Sequence, residues 1–264
     1  MKSWLRSLIP GPMLRAYHRV KRSKEDRRNA NRTPEQVFAE IYREGKWGSG
    51  RGPFCSGPGS AEDVIARPYV AAVCSFLRSF GGKPHVVDLG CGDFGLGRQL
   101  VEDCESYTGI DVVPHLVRHL QESVDDPRVR FLCMDIVRDE LPPGDVCVIR
   151  QVFQHLSNEQ IGKVLAKLGR YSAVIVTEHY PSDGTKGAPN RDKVHGSGIR
   201  LFDNSGVYLD EPPFDIPRSA MEQLLEVPGH GFDGLYDPGV IRTFCLRLSP
   251  RATAVRPALG GVQA

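Results

Sequence analysis

The chain contains no uninterrupted apolar run of about 18 residues, the length a membrane-spanning helix requires. Its opening is too short and broken for a secretory leader, since Pro10 cuts off Trp4-Leu5 and Leu8-Ile9. It lacks any Cys-x-x-Cys pair, and its 7 cysteines are an odd number. Most sit in apolar runs, Cys133, Cys147 and Cys245 in strand-like ones and Cys74 in a helix-like one. This predicts reduced, buried thiols in a cytoplasmic protein and no structural metal site. No segment repeats itself along the chain.

What is present is an alternation of apolar runs and helix-like stretches, at 40% hydrophobic and 25% charged residues in 264. This predicts a globular α/β protein of one large domain with extensions. Charge is uneven. Residues 1–46 hold 12 Lys/Arg and 5 Asp/Glu, a net of +7 against +2 for the whole chain, which leaves the remainder near −5. Such a basic arm is either a solvated lead-in or a contact for nucleic acid or an anionic membrane surface. Thr33-Pro34-Glu35-Gln36 has the makings of a helix start, with Thr33 as cap and Gln36 closing a capping box, and the helix should run to about Arg43. A Gly/Ser/Pro-rich loop follows from Gly45 to Ser60, then a helix from Ala61 to Phe80.

The most informative stretch is Asp88-Leu89-Gly90-Cys91-Gly92-Asp93-Phe94-Gly95-Leu96, after the apolar His85-Val86-Val87. It reads as a buried strand turning sharply into a helix, with Gly90 and Gly92 letting the backbone approach a ligand. Gly90, Gly92 and Gly95 fit the dinucleotide pattern G-x-G-x-x-G, and Asp111 lies where a ribose-binding acid belongs. Asp88, two places before Gly90, is foreign to that pattern, because dinucleotide strands usually run apolar into the first glycine.

Instead the segment resembles motif I of the class I S-adenosylmethionine (SAM)-dependent methyltransferases, and the likeness extends from Val86 to His179. Tyr107 to Asp111, Val129 to Asp135, Asp145 to Arg150 and Tyr171 to Glu178 read as further strands, with Leu116–Val124 and Glu159–Leu168 as crossover helices. The resemblance implies a three-layer Rossmann-like sandwich around a seven-stranded, mostly parallel sheet, with the last strand antiparallel beside strand five. It implies SAM as cofactor. Asp88, Gly90, Gly92 and Gln151 would contact it, Asp111 would accept from the ribose hydroxyls, and Asp135 and Ile136 would meet the adenine. The remaining readings are an NAD(P)-dependent oxidoreductase using the same glycine loop, and a non-catalytic SAM-binding module.

The organisation expected is a basic extension over 1–32, a helical lid segment over 33–80 and a methyltransferase core over 81–249. A substrate-loop insertion spans 180–217, and a loose tail covers 250–264. Pro217–Glu226 reads as a helix, and Phe232–Tyr236 and Val240–Leu248 as the last two strands. Trp47 and Tyr42 are lid candidates. Methyl transfer to a hydroxyl needs a base near the ends of strands four and five. His155 is the first candidate, His179 with Glu178 the second, and His195 the third. Asp183, Asn190, Asp192 and Asp203 offer oxygens but no metal-site spacing. The Asn-Pro-Pro-Tyr-like tetrapeptide of many nucleic-acid and protein amine methyltransferases is replaced by Arg150-Gln151-Val152-Phe153. The acceptor expected is therefore a small molecule or glycan, through a hydroxyl, and nucleic acid is not expected. The opening Trp4 to Pro10 bears a loose likeness to bacterial cell-surface glycan enzymes. That likeness favours O-methylation of a glycan or small metabolite, while the basic arm suggests a cytoplasmic protein peripheral to the inner face of the membrane.

Overall fold

The computed structural model describes residues 11–48, 54–57, 62–231 and 238–248. Five apolar runs become parallel strands: β1 (His85–Leu89), β2 (Ser106–Asp111), β3 (Val129–Cys133), β4 (Val146–Arg150) and β5 (Ala173–Tyr180). With β6 (Met221–Pro228) and β7 (Val240–Leu246) they make one seven-stranded sheet, ordered β3-β2-β1-β4-β5-β7-β6. Only β7 runs against its neighbours, pairing antiparallel with both β5 and β6.

The helices are α1 (Gly11–Asn29), α2 (Pro34–Arg43), α3 (Asp63–Arg78), α4 (Pro114–Ser123) and α5 (Asn158–Leu168). Alternate strand residues point to opposite faces, so a sheet covered on both sides needs apolar residues at every position. Val86, Val146 and Val148 pack with Tyr69, Val73 and Leu77 of α3 and Leu116 of α4. Their neighbours Val87, Cys147 and Ile149 pack on the other face with Ile161, Val164 and Leu165 of α5. Two helices start with a complete capping box. Thr33 and Gln36 exchange bonds of 3.2 and 3.3 Å at α2, and Ser157 and Gln160 exchange bonds of 3.0 and 3.2 Å at α5. Each box satisfies two amide N–H groups that a bare helix end leaves open.

The chain departs from the sequence expectations in three places, and one expectation falls outside the described residues. The glycine loop leads into two short 3₁₀ turns, Gly97–Gln99 and Val101–Asp103, where an α-helix was expected. There Gly97 packs against the Tyr107 hydroxyl and Phe94, which fill the space a longer helix would need. Residues 217–226 contribute β6, preceded by a 3₁₀ turn at Arg218–Ala220, and not a helix. Pairing with β7 overrides the local helical pattern there. The expected strand at 232–236 lies outside the described residues, as do Trp4 to Pro10 and the tail from 249. Cys133 is exposed at the end of edge strand β3, whereas the other cysteines are buried or half-buried.

The insertion after β5 has no α-helix or strand, and its Val207, Leu209, Phe214 and Ile216 are buried in the core on the α5 face of the sheet. Asn190 organises it. Its amide nitrogen donates to the carbonyls of Tyr208 (2.8 Å), Glu211 (3.2 Å) and Pro212 (2.8 Å), and its oxygen accepts from Tyr208 N–H (2.8 Å). Asn190 has φ 51, a left-handed conformation that asparagine tolerates better than most residues. Helix α1 lies against this insertion. Arg22 pairs with Asp203 and donates to the Asp192 carbonyl (2.6 Å), while Glu25 and Asn29 reach the 195–197 segment.

Candidate active site

Strand order reverses between β1 and β4, and a cavity of about 530 Å³ opens at the carboxyl ends of these strands. That is where open α/β sheets place their ligands, because the connections diverge to opposite faces and leave a crevice. Asp88, Gly90, Gly92, Asp111, Asp135, Ile136, Gln151, His155 and His179 all line it.

One half of the cavity is built from consecutive βα units. Asp111 ends β2 with one carboxylate oxygen 3.0 Å from Val113 N–H and the other 3.3 Å from Gly92 N–H. Burial raises its pKa to about 6, against the pull of those backbone donors. Asp88 is likewise raised to about 6 by burial, although the Tyr107 hydroxyl donates to it and the Arg150 guanidinium lies near. Asp135 accepts from Val137 N–H at 2.9 Å, and Lys167 donates to the Ile136 carbonyl at 2.7 Å, which fixes the turn after β3. Gly90 and Gly92 take φ 77 and 55, as a turn this sharp requires. A Cβ at Gly90 would overlap Val152, and one at Gly92 would overlap Ser56. Their small size therefore admits neighbouring protein against the loop as well as any ligand. Two ionisable carboxylates at adjacent strand ends, a backbone cradle and the apolar Ile136 fit a nucleoside carrying ribose hydroxyls and an amino group.

The other half is assembled from segments far apart in sequence. Phe38 and Tyr42 of α2, with Trp47 just beyond, form an aromatic wall facing His155. Trp47 lies 5.2 Å from the Tyr42 ring and 5.2 Å from the His155 ring, and Phe38 meets His155 edge-on at 6.5 Å. Both lid candidates therefore line the cavity, and Phe38 joins them. The segment after β4 is held by Glu178, fully buried on β5, which accepts from Phe153 N–H (2.8 Å) and Gln154 N–H (3.2 Å). Burial raises the Glu178 pKa to about 8 despite these bonds. Ser197 and Ile199 of the insertion close the same side.

Three histidines were expected near this chemistry, and the structure separates them. His155 Nδ1 lies 3.1 Å from the Gly196 carbonyl, which can only accept, so Nδ1 carries the proton and Nε2 is left as an acceptor. The Gln154 amide nitrogen sits 3.5 Å from that Nε2. Burial, together with the Lys193 charge, pushes the His155 pKa down to about 3, well below the near-neutral value its type suggests. His179 donates from Nε2 to the Pro238 carbonyl at 2.6 Å, a bond that ties β5 to the start of β7. His195 does not line the cavity; its Nδ1 meets Gln160 at 3.2 Å under α1. Sequence reasoning missed Arg150, whose guanidinium stacks 4.8 Å over the Tyr69 ring beside Asp88 on the cavity wall. Its charge within a strand of otherwise apolar residues was the available clue.

Among the described residues, no group of three or more His, Cys, Asp or Glu could hold a metal ion, and no helix is long and apolar enough to cross a membrane.

Residues 86–173 match the protein family described as a methyltransferase domain. No curated protein matches the chain in sequence. Solved structures match it in fold. The 1,6-didemethyltoxoflavin N1-methyltransferase of Burkholderia thailandensis, bound to 1,6-didemethyltoxoflavin and S-adenosylhomocysteine, is 16% identical with TM-score 0.53, over 89% of each chain. Human N-acetylserotonin methyltransferase in complex with SAM is 16% identical with TM-score 0.52, over 82% of this chain and 60% of that one. Magnesium protoporphyrin IX methyltransferase of Synechocystis PCC 6803, with S-adenosylhomocysteine, is 14% identical with TM-score 0.50, over 80% and 95%. At these identities the likeness is one of fold.

Proposed function

We propose that this chain is a class I SAM-dependent methyltransferase and that it methylates a hydroxyl of a small-molecule or glycan acceptor held between the aromatic wall of α2 and His155. SAM supplies an electrophilic methyl group on its sulfonium. Asp111 accepts from the ribose hydroxyls, Asp135 and Ile136 hold the adenine, and Asp88, Gly90, Gly92 and Gln151 surround the remainder. The observation that carries the hydroxyl assignment is the 3.1 Å approach of His155 Nδ1 to the Gly196 carbonyl. With Nδ1–H committed to Gly196, Nε2 accepts a hydrogen bond at any physiological pH. Nε2 aims the acceptor's oxygen by taking its O–H as donor and receives the proton as the new C–O bond forms. His179, tied to Pro238, positions the end of β5. The aromatic wall excludes water and stacks against the acceptor.

The purified protein should bind S-adenosylhomocysteine at micromolar concentration in isothermal titration and show no heat with NADH. Binding of NADH alone overturns the reading. With labelled SAM and a panel of hydroxyl acceptors beginning with sugars, His155→Ala should lower turnover by about a hundredfold or more and leave S-adenosylhomocysteine affinity within about twofold. An amine acceptor turned over unchanged by His155→Ala would refute O-methylation.

The outward face of α1 supports a weak contact with an anionic membrane surface. Lys21, Lys24, Arg27 and Arg28 lie there with exposed Tyr17 and Val20, while the helix's two acids, Glu25 and Asp26, turn inward. Sedimentation with phosphatidylserine vesicles at low salt, lost in their phosphatidylcholine counterparts, tests this.

A further inference from the structure

Helix α1 is basic, remote in sequence from every strand, and absent from the chemistry above. Its inward polar side chains nevertheless converge on three consecutive insertion residues. Glu25 Oε1 accepts from both the backbone N–H (3.0 Å) and the hydroxyl (2.7 Å) of Ser197. The amide nitrogen of Asn29, itself fully buried, donates to the His195 carbonyl at 3.1 Å. Between them, Gly196 touches the helix so closely that a Cβ there would lie 2.8 Å from Asn29 Nδ2 and 3.0 Å from Glu25 Oε1. Gly196 is also the residue that grips His155. It accepts from Nδ1 at 3.1 Å and returns its own N–H to the His155 carbonyl at 3.0 Å. Lys193 adds a cation 3.4 Å from the carbonyls of both Gly196 and His155.

We infer that α1 is part of the acceptor site, with Glu25 acting as a positioning residue that holds the Gly196 carbonyl against His155 and thereby keeps Nε2 as the acceptor nitrogen. The use of Nε2 rests on the hydroxyl-methylation reading, but the clamp itself does not. The geometry explains why the contact is polar. A carboxylate oxygen that takes two donors from one residue fixes both the position and the rotation of that segment, which an apolar contact would not. A carbonyl that swings away releases the imidazole to exchange its proton between the two nitrogens, and the Nε2–H form then presents N–H where an acceptor is needed. The reach of this clamp extends along the cavity wall, since Ser197 itself lines it.

The test uses the full chain with ¹⁵N-labelled histidine. In the unaltered protein His155 should give the signals of a single neutral tautomer, protonated at Nδ1. Glu25→Ala should yield averaged tautomer signals for His155, with S-adenosylhomocysteine affinity unchanged, because the carboxylates of the cofactor half are untouched. Glu25→Gln, whose amide oxygen can still accept from Ser197, should restore the single tautomer. Gly196→Ala, whose Cβ would press on both Asn29 Nδ2 and Glu25 Oε1 and push α1 away, should reproduce the effect of Glu25→Ala. With an acceptor in hand, Glu25→Ala should lower kcat by about tenfold or more and KM little, as expected for misplacement of one reacting group. A His155 spectrum identical in Glu25→Ala and the unaltered protein overturns the clamp. A shifted tautomer with unchanged turnover supports the clamp and instead refutes the role of His155 in transfer. Should Glu25→Ala fail to fold, Glu25→Gln and Gly196→Ala carry the same comparison.

Discussion

The two halves of the cavity are built by opposite strategies. The cofactor half comes from β1, β2, β3 and their turns, inside about fifty residues of chain, and each polar group sits at a strand end. The acceptor half draws on α1, α2, the segment after β4, the end of β5 and the insertion, from Glu25 to Pro238. Hydrogen bonds between distant segments, rather than the sheet, define its shape. The first half is a scaffold-determined site, and the second depends on several loops being in place together. Loops of this kind can change while the scaffold persists, so the two halves are free to vary independently.

Asp88 and Asp111 also differ from His155 in their titration. Burial lifts Asp88 and Asp111 to about 6, into the range where a cell or a buffer can protonate them. Burial drives His155 the other way, to about 3, so it stays neutral throughout that range. The same physical cause has opposite signs because the charged form is the basic one for a carboxyl and the acidic one for an imidazole.

The comparison breaks most sharply at Asp111. Asp111→Ala removes two charge-assisted hydrogen bonds to the ribose, about 3 kcal/mol together, so S-adenosylhomocysteine affinity in titration calorimetry should fall by about a hundredfold. The His155 tautomer should not change, since none of its contacts involves β2. A loss of affinity below threefold would detach Asp111 from the ribose. A smaller effect comes from pH. S-adenosylhomocysteine affinity should weaken by a few fold as pH falls from 7 through 6, because a protonated carboxyl loses its strength as a double acceptor. Over the same range the His155 signals should hold still. Affinity flat from pH 7 to 5, or His155 titrating near 6, would erase the distinction between the halves.

This division also governs how much the sequence revealed. Asp88, Asp111 and Asp135 were readable because a strand end is a local pattern: an apolar run followed by an acid. The capping box at Thr33 and the order of the first five strands were readable for the same reason. The helix expected at 217–226 was not, because its strand character comes from pairing with β7. The lowered pKa of His155 was not legible because its burial depends on Trp47, Phe38 and the insertion, none of them near it in the chain. The Glu25–Ser197 contact, across 172 positions, leaves no local trace at all. A basic stretch looked like a solvated arm because its two acids were averaged into the charge count, when their facing inward was the informative fact.

The placement of β7 has a consequence for biosynthesis. Strand β5, buried along its whole length, finds its partner on one side in β4, but its other edge is covered only by residues 240–246. A nascent chain leaving the ribosome therefore exposes an apolar, unpaired strand edge for some sixty residues of synthesis after β5 is complete. Premature termination in that interval would release a polypeptide with β1 to β5 made and the edge of β5 open to other chains.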